Sequence, residues 1–198
     1  MKRIFALFAG VGLAAMSHAS PAHLDAQQVH AEINRSMAAT MQLAAQLNWQ
    51  VGDFHNNEIK MAFGNGTGTK TVSQDVPAEG AFWYVNEIAI LGQKQKTEAL
   101  MRRSDGKVLK LIVNGEEQDP NADNSQVEIV EQRETSIQVP AGKFDCFYIK
   151  ANIVQDGKKT EIEAWINPID VNLDGMLKTV IQSQFGPITM TLNKFGRK

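Results

Sequence analysis

From Trp49 onward, apolar side chains recur at every second position in short runs, and residues that favour turns separate the runs. Phe147, Ile149, Ala151 and Ile153 point one way, while Lys150 and Asn152 point the other. Ile162, Ala164 and Ile166 oppose Glu161, Glu163 and Trp165 in the same manner. Ile188, Met190 and Leu192 oppose Thr189, Thr191 and Asn193. A period of two with one greasy and one wetter side predicts antiparallel sheet. Asp105-Gly106 divides residues 97–103 from 107–113, and Asp156-Gly157 divides 144–154 from 159–166. Asp-Gly suits the primed turns in which both central residues take positive φ, so both sites are predicted hairpins. Asn65-Gly66 and Asn114-Gly115 are further turn candidates, and Gly186-Pro187 precedes a last strand over 188–195. The polar stretch 116–125, with Pro120, reads as a loop.

A sheet with one apolar face needs a cover. Residues 24–47 are the sizeable apolar element available: Val29, Ile33, Met37, Met41 and Ala44 recur at helical spacing, and no Gly or Pro interrupts them. Asp25 is a reasonable N-cap. The expected architecture is therefore mainly β (α+β), a strongly curved antiparallel sheet or half-barrel over about 49–196, wrapped around a helix over about 24–47.

The first 19 residues read as a cleaved secretory signal. Lys2 and Arg3 supply the positive start, residues 4–16 are apolar, and Ser17-His18-Ala19 presents small residues at the cleavage positions. The apolar run is shorter than the ~20 residues a bilayer span takes. A single domain over 20–198 is expected outside the cytoplasm, periplasmic or secreted, with no integral span after signal removal. Without Lys2 and Arg3, Lys+Arg falls from 20 to 18 against 22 Asp+Glu, so the net charge is −4. That balance argues against nucleic acid as a partner. Cys146 is the one cysteine, so no intrachain disulfide forms, and no cysteine follows Ala19 to carry a lipid anchor.

The residues offer little for catalysis. No HExxH, GxSxG or CxxC is present, and His23 and His30 sit two helical turns apart, roughly 10 Å, too far for one metal ion. Bulky apolar neighbours and Asp145 raise a thiol's pKa, which makes Cys146 a structural residue. Glu161 and Glu163 share the polar side of a strand with lysines nearby and read as a solvated ion-pair surface. Gly64-Asn65-Gly66-Thr67-Gly68 lacks the Gly-Lys-Ser/Thr ending of a phosphate loop and reads as a β-turn. No enzyme, cofactor or metal is expected, and no catalytic residue is assigned. Aromatic and apolar side chains remain. Phe63, Trp83, Phe147, Ile149 and Trp165 are the candidates to line a ligand cavity, although a filled core needs the same residue types.

Three segments carry a family resemblance. They are the run from Val139 through Pro140-Ala141-Gly142-Lys143-Phe144 to Ile149, the run Glu163-Ala164-Trp165-Ile166-Asn167-Pro168, and Gly175-Met176-Leu177-Lys178 followed by Leu192-Asn193-Lys194-Phe195-Gly196. Their order resembles exported bacterial proteins of the lipoprotein-carrier-like (LolA/LolB-like) superfamily, including uncharacterised periplasmic members. The resemblance implies a half-barrel enclosing an apolar cavity for acyl chains. It implies that the Val-Pro-Ala-Gly-Lys-Phe run is a turn entering a strand and that the Trp-Ile-Asn-Pro run is a strand end. Two functions are expected: an exported, non-enzymatic binding or carrier protein for a lipid or other apolar ligand, or an envelope structural module with a filled core that docks a protein partner.

Overall fold

The computed structural model describes Val29 and residues 49–120, 126–155 and 157–198. The strands are β1 (Asp53–Met61), β2 (Gly64–Val76), β3 (Ala81–Ile90), β4 (Gln93–Arg102), β5 (Val108–Val113), β6 (Glu116–Gln118), β7 (Gln126–Val139), β8 (Gly142–Gln155), β9 (Lys158–Ile166), β10 (Met176–Ser183) and β11 (Gly186–Arg197). They make one 11-stranded antiparallel sheet in the order β6-β5-β4-β3-β2-β1-β11-β10-β9-β8-β7. Two meanders are thus joined in the middle by β1 and β11, where Asp53 faces Arg197 and Ile59 faces Met190. Among the described residues, β6 and β7 are the unpaired margins of the sheet.

The sheet bends. The Ala141 N–H, between β7 and β8, donates to Leu192 O of β11 at 3.3 Å, although β9 and β10 lie between β8 and β11. At about 4.8 Å per strand a flat sheet would hold those strands roughly 14 Å apart.

The period-two reading holds. Ile59, Ile88, Ile90, Ile162, Ile181 and Ile188 are all buried in the largest apolar cluster. Val29 is helical and 0% exposed within it. The rest of the predicted helix 24–47, and the signal segment 1–19, lie outside the described residues. A second cluster gathers Trp49, Val72, Phe82, Tyr84, Met101 and Leu173. A third gathers Val139, Cys146, Val171, Leu177 and Leu192.

Turn chemistry places most of the hairpins. Asn114 (φ 52°) and Gly115 (φ 89°) both take positive φ between β5 and β6, as a primed turn requires. Gln155 pairs with Lys158, so β8 and β9 form the expected hairpin. Val139 and Gly142 pair across Pro140-Ala141, the turn that the family resemblance implies.

Three expectations need correction. The Asp105-Gly106 hairpin exists, but only Gly106 takes positive φ (67°). Asp105 instead braces a longer turn, accepting from Arg102 Nε at 2.9 Å and from the Lys107 N–H at 3.1 Å. The stretch 116–125 is not all loop, because Glu116–Gln118 pairs with β5; residues 121–125 lie outside the described residues. Asn65-Gly66 is not a turn. The segment 64–68 runs inside β2, and Ala62-Phe63 makes the reversal, with Met61 opposite Gly64.

Of the glycines in that segment, Gly66 has a packing reason. A Cβ on Gly66 would sit 2.3 Å from Ile90 Cγ2 and 2.6 Å from Ala89 O, whereas one on Gly68 would meet nothing nearer than 3.6 Å. Gly to Ala within a strand ordinarily helps by roughly 0.5–1 kcal/mol. Gly66→Ala is expected to reverse that sign, costing about 1–3 kcal/mol through overpacking. Gly68→Ala should be neutral or mildly stabilising. Urea unfolding of the pair checks this, and equal effects at the two sites would refute the packing argument.

Candidate functional site

The five cavity candidates do not converge. Ile149 lies on the core face of β8, buried with Ala164, Ile166 and Met176. Phe147, two positions back, shares that face but is 38% exposed. Phe63 lies in the β1–β2 turn, half-buried against the largest cluster. Trp83 projects from β3 on the side opposite Phe82 and Tyr84, and Trp165 from β9 on the side opposite Ala164 and Ile166. Trp165, half-buried against the third cluster, is one rung of a ladder on that side. Arg133 lies 4.4 Å over the Tyr148 ring, Tyr148 and Trp165 are 5.1 Å apart, and Lys178 lies 4.9 Å over Trp165. Glu161 pairs with Lys150 at 2.8 Å, and Glu163 accepts from the Tyr148 hydroxyl at 3.1 Å. Both therefore belong to an ion-pair and hydrogen-bonded surface. Cys146 is buried, and burial, with Asp145 adding to it, pushes its thiol up.

The apolar core face reaches a margin at β7. Ile129 pairs directly with the buried Ala151, which puts both on one face, yet Ile129 is 51% exposed. Phe147 on β8 lies opposite Glu134 of β7, and Ile149 opposite Gln132, so Ile129 and Phe147 are two separate exposed apolar positions on this face.

The second feature is polar and was not legible as a site in the sequence. His55 on β1 faces Lys70 on β2, which faces Asn86 on β3, a buried polar row crossing the apolar face. A strap formed by residues 167–175 between β9 and β10 lies against it. Asn167 shapes the strap, its Oδ1 accepting from the N–H groups of Ile169 (2.9 Å) and Asp170 (2.8 Å). Leu173, at φ 54°, inserts into the cluster of Trp49 and Tyr84. Asp174, 0% exposed, then meets Lys70 Nζ in a short ion pair and accepts from the Met176 N–H at 3.1 Å.

His55 completes the group. Asn172 donates its amide N–H to Gly196 O at 2.7 Å, which turns Oδ1 toward His55 Nε2 at 3.1 Å. His55 Nε2 therefore carries the proton. Its Nδ1 has no hydrogen-bond partner and stands 3.5 Å from Asp174 Oδ1. Burial, with Lys70 adding to it and Asp174 opposing, brings the imidazole down to about 4, so it is neutral at pH 7. Burial alone would raise the Asp174 carboxyl, but the adjacent ammonium of Lys70 and the hydrogen bonds outweigh it and hold it below its usual range. At the end of the row Asp53, also buried, accepts from Arg197 Nε and the Gln50 N–H, both at 2.8 Å.

Two further polar atoms close by are buried without partners: the Trp49 indole Nε1 and the Tyr84 hydroxyl. The two rings are 5.3 Å apart. Burial, with the negative charge of Asp174 contributing, pushes the Tyr84 phenol well above its ordinary value. Unpaired buried polar groups cost roughly 1–3 kcal/mol each. The sequence did contain a signal: His55 is in phase with Ile59 and Met61, hence on the core face, where a histidine needs partners.

No protein-family model matches this chain, and no curated protein does. Solved structures resemble it distantly. One, described as an exported protein with a YmcC-like fold from Bacteroides fragilis, shares 13% identity at a TM-score of 0.45, covering 78% of this chain and 100% of its own. Another, described as a lipoprotein from Parabacteroides distasonis, shares 14% at 0.44, covering 77% and 99%. MucB of Pseudomonas aeruginosa, in complex with MucA, shares 9% at 0.42, covering 83% of this chain and 55% of its own. At this distance the likenesses carry no argument about function.

No helix among the described residues is long and apolar enough to cross a membrane, and among them no group of three or more His, Cys, Asp or Glu could hold a metal ion.

Proposed function

We propose that this chain is exported and acts outside the cytoplasm as a non-enzymatic binding or carrier protein for a lipid or another apolar ligand. Export rests on Lys2, Arg3, the apolar residues 4–16 and Ser17-His18-Ala19. The binding function rests on one observation: next to the buried Ala151 and Ile149, the core face carries two exposed apolar residues, Ile129 on β7 and Phe147 on β8, 51% and 38% exposed. An acyl chain laid against such apolar side chains would gain about 0.8 kcal/mol per methylene removed from water. In this reading the sheet is a half-barrel.

The second reading, an envelope structural module with a protein partner, draws on Val29, which is completely buried in the largest apolar cluster, as in a filled core. Native mass spectrometry of gently purified protein separates the two. The carrier reading expects co-purified lipid, or uptake of a fluorescent fatty acid by stripped protein. A clean apo mass with no uptake leaves the structural reading standing.

A further inference from the structure

The Lys70–Asp174 pair has an odd provenance. Lys70 belongs to the sheet and points into its apolar face, whereas its counter-charge comes from the strap. The strap is held in a costly shape. Leu173 takes a left-handed backbone (φ 54°) that non-glycine residues rarely adopt, and Gly175 (φ 67°) lies so close to Asn167 O that a Cβ would sit 2.8 Å away. Trp49 and Tyr84 pack with Leu173 of the strap, and the Trp49 N–H and Tyr84 O–H lack acceptors although these residues are 3% and 4% exposed. An ammonium and two neutral donors in an apolar wall match the needs of a carboxylate.

We propose that Lys70, the Trp49 indole N–H and the Tyr84 hydroxyl form a receiving site for the carboxylate of an acidic amphiphile such as a long-chain fatty acid, and that Asp174 occupies this site until ligand displaces it. The proposal rests on the apolar-ligand reading above and names the head group. The strap is then an internal competitor: it keeps Lys70 paired when the protein is empty, and it lifts when a ligand carboxylate replaces Asp174.

The test uses the full chain, dansyl-labelled undecanoic acid and the methyl ester of the same probe. Asp174→Asn retains an acceptor for the Met176 N–H and removes the competing charge. It is expected to raise affinity for the acid at least tenfold and to leave the ester within twofold. The double variant D174N/K70M should bind acid and ester alike, and acetate, lacking a chain, should displace neither. A second measurement needs no variant: saturating acid, but not ester, should speed hydrogen exchange of the strap amides 169–175 severalfold in the unmodified protein. Equal responses to acid and ester, or an acid preference that survives D174N/K70M, would overturn the head-group assignment while leaving apolar binding intact. Failure of every form to bind either probe would overturn both.

Discussion

Lys70→Met should lower the unfolding free energy by about 3–5 kcal/mol, because it strands the Asp174 carboxylate in a buried apolar wall. Asp174 is 0% exposed and Lys70 is its ion-pair partner. Removing one member of such a pair is far worse than removing both. K70M/D174N should therefore recover most of the loss, since an apolar chain replaces the ammonium and the amide still accepts from the Met176 N–H. Urea denaturation gives both numbers, with the slope m checked for constancy. If the single and double variants were equally unstable, the cost would come from lost packing, and the electrostatic account of the strap would be wrong.

Stability should also fall steeply with acid in a window set by His55. Its imidazole titrates near 4 in the folded chain against 6.5 when free, because burial disfavours the charged form. Between those values the unfolded chain binds the proton and the folded one does not. Stability is then complete above 6.5 and declines as the pH drops toward 4, by up to ~1.4 kcal/mol per unit and on the order of 3 kcal/mol in all. Below 3.8 a second loss begins, because the lowered Asp174 carboxyl resists protonation only while folded. His55→Gln removes the first window and keeps the second. Unfolding curves at pH 7, 6, 5 and 4 for both proteins provide the check. A difference between them that does not vary with pH would show that His55 is not buried and neutral.

The strands were legible because alternation is a local property. Ile162, Ala164 and Ile166 announce their face within five residues, and so do Ile188, Met190 and Leu192. The segment 64–68 was misread for a physical reason. Asn-Gly favours a turn when nothing else intervenes, but here Gly66 leaves room for Ile90 across the ladder. A tertiary demand overrode the local one. The cavity candidates were chosen by residue type, and type does not encode phase: Trp83 and Trp165 fall one position out of step with their core neighbours. The polar row was harder still. Lys70 and Asp174 are 104 residues apart, and their meeting depends on the fold of the 167–175 strap, which no local pattern records.

The β1–β11 seam has a consequence for how such a chain can assemble. The first and last strands are neighbours at the centre of the sheet, tied by pairs as distant as Asp53 and Arg197, and the Lys198 N–H donates to Gly52 O. Each meander can zip hairpin by hairpin, but uniting the two requires ordering well over a hundred intervening residues, a slow, high-contact-order event. Until it happens, two half-sheets each present a raw central edge. For a polypeptide threaded across a membrane this delay is useful, because the fold cannot lock before its final strand has emerged.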